Sequence, residues 1–361
     1  MDICSKTELD LIAIDFETIR TLGDNIHDSV FLMMIVPFYA ISIRAVGEYR
    51  NERLLDLNSD KKITDLRNSI KIYQDRFRKV KVRFQEADNT SDMLFRSMLR
   101  FRFLQKWNIH FNLGIYFTKD GKIVGNTQWI ETYLNLNRER NEDRNRKSFD
   151  TGYVIGCAIQ KVYTLYNLPT SMKIIQLGTV PEFGYMDFNT YKSSNIFKGS
   201  WEKEVHLAFL HILSLINFEK YVLESVLPGD NEWLFRIKYN VIHYAFSGID
   251  AIFRHCNADN KMAKEEKEIF QELIDDRWQL FSSDFRGCMM HYRLTDKNQK
   301  ALIKENVYSE EVPFNGLIES VFPGMNFDLY NDKLSKKRDA IESFLEQQFY
   351  IDVNKIHTLE R

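Results

Sequence analysis

The sequence predicts a mainly α-helical protein, and three observations carry that prediction. Gly and Pro are scarce, 15 and 6 in 361 residues, which argues against collagen-like, low-complexity and turn-rich all-β architectures. Hydrophobic residues make up 44% and aromatics 14% of the chain, enough apolar surface to offset the entropy of ordering, so a disordered chain is excluded. Apolar residues recur at helical spacing over long segments. The length gives a prior of about two domains. Lys+Arg number 49 against 51 Asp+Glu, a formal net charge of −2. That balance excludes a uniformly basic nucleic-acid coat but leaves local patches open.

The elements follow in chain order. Residues 7–22 read as a first helix, and 28–55 as a second, kinked near Pro37. Within the second, VFLMMIVPFYAISI is the most apolar stretch. It is shorter than the roughly 20 residues that cross a bilayer, and Pro37 interrupts it, so a buried helix is expected and a membrane anchor is not. Residues 63–87 and 91–110 read as a third and a fourth helix. The segment GIYFTKDGKIVG breaks the pattern. Asp120-Gly121 stands between two short apolar runs, which signals a hairpin whose central turn residues both take φ > 0. MKIIQL at 172–177 is a second β candidate. The polar run 135–148 reads as an exposed loop or helix end. Pro181, Gly184 and Gly199 place a domain boundary within 178–200, giving an N-terminal unit at 1–190, mostly helical with a small β element, and a C-terminal unit at 191–361.

The C-terminal half is more regular. A helix over 201–227 ends at Pro228-Gly229. Helices over 231–254 and 261–291 follow, then a loop containing Pro313, Gly316, Pro323 and Gly324, then a last helix over 333–349. This is a four-helix arrangement with one long excursion before the closing helix.

Familiar catalytic signatures are absent from the sequence. It has no Walker A loop, GxGxxG, GxSxG, HExxH or Asp-rich calcium loop. Cys4, Cys157, Cys256 and Cys288 are scattered, with no CxxC pair, and so read as buried reduced thiols. His206 and His211 lie five apart, not the four of a helical ligand pair, and no metal or cofactor is expected. The opening MDICSKTELDL has early acids and no positive n-region, so no secretory signal is expected and the reading is cytoplasmic.

The segment that stands out is DFRGCMMHYRL, with Arg286, four intervening residues, then His291. A His near neutral pKa shuttles a proton, and a guanidinium holds charge developing on a phosphorane-like transition state. Together they permit RNA cleavage without a metal, because the substrate's own 2′-hydroxyl can act as nucleophile. Residues five apart on a straight helix point roughly 140° apart. Convergence therefore needs a kink, a local helix end or a long reach by the Arg side chain, and Gly287 weakens the helix there. Arg20 with His27 and Arg236 with His243 have similar spacing. The first pair flanks a helix break, and His243 sits in an apolar helix as a core histidine, so both read as accidental.

The third pair comes late in a helical bundle, after two long helices and before a closing one. In this it resembles the HEPN superfamily, whose members carry Arg-x(4–6)-His in a late helix of a four- or five-helix bundle. The resemblance covers about 201–349. Gly287 follows Arg286 where the family often has a polar residue, commonly Asn. The resemblance implies a metal-independent endoribonuclease with Arg286 and His291 as the catalytic pair. It also implies a homodimer through the C-terminal bundle, and a setting in toxin, CRISPR-linked or antiviral defence. Asp250 and Glu224 are candidate assisting acids. A structural reading stands beside it: Arg286 pairs with Asp276 or Asp284, and His291 caps the helix end. The protein is then a non-catalytic helical interaction or regulatory protein with a degenerate motif.

Charge patterning bears on the partner. Residues 65–106 hold eleven basic residues against five acids, with aromatics interleaved. Arg76, Arg78, Lys79, Lys81, Arg83, Arg100 and Arg102 are the candidate nucleic-acid contacts, able to track a phosphate backbone with aromatics stacking on bases. The alternative is a solvated helix face with the aromatics in the core. RNA is the expected partner, and the N-terminal unit would recognise a protein or ligand trigger.

Overall fold

The computed structural model describes residues 3–50, 54–71, 76–98, 112–134, 141–168, 175–192, 196–258, 262–275 and 277–359. The fold is mainly helical with one small antiparallel sheet. Helix α1 (Ile3–Asn25) and α2 (Ser29–Arg50) open the chain. Asp28 stops the turn between them, its Oδ1 accepting from the Phe31 amide at 2.9 Å. Helix α2 continues through Pro37 and ends at Arg50, short of the expected limit at 55. It is long and apolar enough by composition to cross a membrane, and 72% of that apolar window is buried inside the protein. Phe38 shows why: its ring lies 6.4 Å from Trp129 and 5.6 Å from Phe218.

The next two helices differ from expectation in their boundary. Helix α3 runs Leu57–Ile70 and α4 runs Phe77–Met98. The expected continuous helix over 63–87 is therefore two helices, and no break falls near residue 90. Asp56 caps the start of α3 through the amides of Asn58 and Ser59, while Lys71 leaves helical geometry at φ −110°. The sequence hides this break because the buried residues stay in phase across it. Ile63, Leu66 and Ile70 are followed after seven residues, about two turns, by Phe77, Val80 and Phe84. Residues 99–110 of the expected fourth helix lie outside the described residues.

Strands β1 (Leu113–Thr118) and β2 (Ile123–Asn126) form the expected hairpin. Its turn differs in one respect: Gly121 takes φ +80° and Asp120 does not have positive φ. The Gly121 amide donates to Thr118 O at 2.9 Å, so the loop has three residues with glycine in the left-handed position. Strand β3 (Phe183–Phe188) pairs antiparallel with β1, and β4 (His357–Thr358) with β3, giving the order β2-β1-β3-β4. Strand β3 was not foreseen and lies inside the interval read as the domain boundary. Of the other β candidate, residues 175–177 are not strand and 172–174 lie outside the described residues. Helix α5 (Thr127–Leu134) follows the hairpin. Helix α6 (Asn141–Tyr166) begins within the polar run 135–148, so 141–148 are the helix end that was one of the two expectations there, and 135–140 lie outside the described residues.

The C-terminal half holds α7 (Lys203–Asn217), a π-turn (Phe218–Leu223) and a last turn α8 (Glu224–Val226). Helix α9 (Glu232–Ala258) follows. The single helix expected over 261–291 is three: α10 (Lys264–Ile274), α11 (Arg277–Leu280) and α12 (Ser283–His291). Ser282 makes the last break, its side chain accepting from the Phe285 amide at 3.1 Å. After α13 (Leu317–Val321), Asn326 caps α14 (Phe327–Glu346) through the Leu329 amide.

Helix α9 is the hub. Every residue from Trp233 to Phe246 is buried, so the helix meets partners on all sides, among them α1, α7, α10, α12 and α14. Buried side chains from both halves of the chain belong to one hydrophobic core. The polar residues in this run have to be satisfied inside the protein. Arg236 Nε lies 3.1 Å from Asp15 Oδ2 of α1. Lys238 Nζ lies 2.7 Å from Glu224. Asn240 Nδ2 donates to the Arg236 carbonyl at 3.0 Å.

Glu224 shares a second buried cluster with Glu219 on the π-turn. Arg338 Nη1 donates to both Glu219 oxygens, at 3.1 and 2.8 Å, and to Glu224 Oε1 at 2.7 Å. Burial and the Glu224 charge push the Glu219 carboxyl up to about 7, against the pull of Arg338 and Lys238.

Two predictions follow from these buried charges. Asp15→Ala strands the Arg236 guanidinium without a counter-charge, and chemical denaturation should show a loss of about 3–5 kcal/mol. For Glu219, a raised folded pKa means that the native state holds a proton the unfolded chain has released. Stability from this group is present below the unfolded value and is lost as pH rises through about 7. Glu219→Gln, which cannot ionise, should gain stability relative to wild type between pH 5 and 8 when Tm is followed against pH.

Candidate functional site

Helix α12 carries both residues of the Arg-x4-His motif and is fixed at each end. Ser282 caps its start. At its end Tyr292 takes left-handed geometry, φ 52°. The Tyr292 ring is fully buried, its hydroxyl donating to Asp15 Oδ2 at 2.6 Å, and the Arg236 guanidinium lies 4.2 Å from its centroid. Arg236 Nη1 also donates to the Cys288 carbonyl at 3.2 Å. A buried cation thus closes the last turn, where the helix dipole is negative. His291 is the residue before this anchor.

Arg286 and His291 line one open cleft of about 680 Å³. Helix α12 is helical throughout to His291, so no internal kink brings them together. Arg286 is exposed, and among the described residues no carboxylate pairs with it. Asp284 does not, and Asp276 lies outside the described residues. His291 does not cap the helix end, because its Nδ1 lies 2.6 Å from Glu48 Oε2 on α2. Gly287 is buried, and a Cβ there would come within 3.0 Å of Arg293 Nη2. Glycine at this place lets the Arg293 side chain fold back over the helix.

The cleft is strongly basic. Arg67 and Lys71 come from the end of α3, Arg76 and Arg78 from the start of α4, Arg254 from α9, Arg277 from α11, and Arg286 from α12. Against these seven cations the lining has one carboxylate, Asp250. Asp250 bonds Arg254 and lies 3.3 Å from Arg277 Nη1, so its single charge is shared between two arginines. Glu224 is not in the cleft: it belongs to the Glu219–Arg338–Lys238 cluster. Of the expected nucleic-acid contacts, Arg76 and Arg78 line the cleft. Lys81 instead pairs with Glu202 at 2.7 Å, and Lys79 and Arg83 are exposed on α4 outside it. Arg100 and Arg102 lie outside the described residues.

The electrostatics follow from this crowding of cations. Burial and the neighbouring Arg67, Arg286 and Arg44 pull the Lys71 ammonium down to about 8, against Glu48. Burial, with Arg277 and Arg286, holds the His243 imidazole down at about 4, so it is neutral at pH 7. Burial raises the Glu48 carboxyl, but the hydrogen bonds from His291 and Arg44 and the charge of Arg67 outweigh it and bring Glu48 to about 2. Among the described residues no group of His, Cys, Asp and Glu could hold a metal ion.

Arg67 and Lys71 belong to the basic run 65–106 but were not singled out as contacts, although they form a basic pair four apart on one helix face. Glu48 carried a faint signal, as the sole acid in the α2 sequence, four residues after Arg44. Comparison with protein-family models, curated proteins and solved structures finds no match for the chain.

The Lys71 environment predicts selective reactivity. At pH 8 about half of the Lys71 side chains are neutral, against well under 1% for an ordinary lysine of pKa about 10.4. Limited acylation at pH 8 followed by peptide mass mapping should label Lys71 ahead of surface lysines. Inorganic phosphate in the cleft should slow that labelling by stabilising the charged form.

Proposed function

We propose that the protein is a metal-independent endoribonuclease-like effector whose reaction centre is Arg286 and His291. The observation that carries this reading is that both side chains open onto one cleft lined by seven cations and one already neutralised carboxylate. Such a cleft suits a polyanion. His291 takes the proton of a ribose 2′-hydroxyl, and the resulting oxygen attacks the adjacent phosphorus. Arg286 balances the charge that grows on the non-bridging oxygens. The P–O5′ bond breaks, the leaving oxygen takes a proton from water, the His291 imidazolium returns its proton to solvent, and the products are a 2′,3′-cyclic phosphate and a 5′-hydroxyl. Arg67, Arg76 and Arg78 hold flanking phosphates. By the resemblance to HEPN effectors, the active form is a homodimer through the C-terminal helices, and the setting is defence or toxicity.

The test is cleavage of labelled RNA in EDTA by wild type, His291→Ala and Arg286→Ala. Wild type should leave cyclic-phosphate ends, and His291→Ala should lose about 10²–10⁴-fold in rate. Equal cleavage by wild type and His291→Ala would show that the site is misassigned. Absence of cleavage, with salt-dependent RNA binding that Arg286→Ala weakens, would instead support the reading as a non-catalytic binding protein.

A further inference from the structure

His291 is held by an acid from α2, a helix that contributes no described residue to the cleft lining. We infer that Glu48 is a positioning residue for His291: it fixes the ring and its tautomer so that Nε2 is the proton-accepting atom. This rests on the reading of His291 as the base.

The geometry is specific. His291 Nδ1 lies 2.6 Å from Glu48 Oε2, with the imidazole 40% and the carboxylate 26% exposed. An ionised carboxylate only accepts hydrogen bonds, so Nδ1 must carry the hydrogen. In the neutral ring that leaves Nε2 as the free base. The carboxylate is itself held. Arg44 Nε donates to Glu48 Oε1 at 2.9 Å and Arg67 Nη2 donates to it at 2.6 Å, so the oxygen facing His291 has little freedom to turn away. Arg44 is steadied in turn by Asp60, at 3.3 Å. The charged and titratable groups around Glu48 are Arg44 on its own helix, Asp60, Arg67 and Lys71 from α3, Tyr244 from α9, and Arg286 and His291 from α12. The cations among them keep the carboxylate ionised. Helix α2 is a rigid support, since it packs on α1, α3 and α12.

The consequence for the reaction is a division of labour. Glu48 does not touch RNA. It holds the base in the correct tautomer before proton transfer and stabilises the imidazolium after it. Loss of the orienting partner of a metal-bound histidine typically costs 10–100-fold, and a loss of that order is expected here.

The experiment compares wild type, Glu48→Gln and Glu48→Ala, each checked for an unchanged circular-dichroism spectrum. Nitrogen-15 shifts of the His291 ring are measured without RNA, and kcat and KM for RNA cleavage in EDTA are measured alongside. The neutral wild-type ring is expected in the Nδ1–H form, and Glu48→Ala is expected to lose that preference. In Glu48→Ala kcat should fall 10–100-fold with KM within about twofold, and Glu48→Gln, whose amide oxygen can still accept, should retain part of the rate. A ring locked in wild type and released in Glu48→Ala supports the positioning role even if no RNA is cut, in which case only the RNA reading fails. Cleavage that needs His291 but proceeds at the wild-type rate in Glu48→Ala overturns the positioning role alone. An Nε2–H ring in wild type overturns it as well.

Discussion

Arg236 is 1% exposed in the middle of a helix whose neighbours along the chain are all buried. A guanidinium there is tolerable only if its charge and its donors are answered nearby. Asp15 supplies the charge from α1, Tyr292 supplies a ring face, and the Cys288 carbonyl at the end of α12 takes a hydrogen bond. One desolvated cation thereby ties the first helix, the central helix and the helix with the Arg-x4-His motif to one another. Asp15 is shared with the Tyr292 hydroxyl and lies 3.4 Å from Ser42, which brings α2 into the same knot. The position of His291, next to Tyr292, is thus set by groups that never approach the cleft.

The same arrangement explains why the cleft draws on the whole chain. Its acid partner for His291 stands at residue 48, its cations at 67–78 and 254–286, and its neutral histidine at 243. Helix α12 is short, nine residues, and too small to build a pocket alone. It lines one because α3, α4, α9 and α11 bring charged residues beside it. Asp250, between Arg254 and Arg277, and Glu48, on Arg67, offset part of the positive charge in the lining. The remaining positive charge is left facing solvent, and this gives the cleft its chemical character.

Much of the helical framework was legible because periodicity survives in the sequence. Helices α1, α2, α9 and α14 have long apolar stripes, and the Asp120-Gly121 turn announces the hairpin. What periodicity could not show was interruption. The pattern from Ile63 to Phe84 stays in phase across a break, so two helices read as one. The pattern from 261 to 291 concealed two stops, one of them marked only by the Ser282 cap. Strand β3 lies among Asn, Ser and Gly and has no alternation strong enough to separate it from loop. At the site, Arg286, His291, Arg76 and Arg78 were found by type and spacing. Glu48 was not, because the contact that matters joins residues far apart in sequence and depends on how α2 lies against α12. Glu224 was proposed on helix order alone, and its side chain is engaged by Arg338 and Lys238.

Tyr292 has a consequence for which substitutions the chain can accept. A left-handed residue at a helix end is the place where glycine is ordinarily the easiest choice, since it adopts that backbone at no steric cost. Here the ring and hydroxyl hold Asp15 and Arg236, so glycine would ease the backbone and remove the anchor together. The usual ranking of residues at a helix stop is inverted at this position. A replacement that kept the anchor would have to fill an aromatic-sized space and still offer a hydroxyl to Asp15. A purely local view of helix termini would place this residue among the most replaceable in the protein, and the buried charge beneath it makes it one of the least.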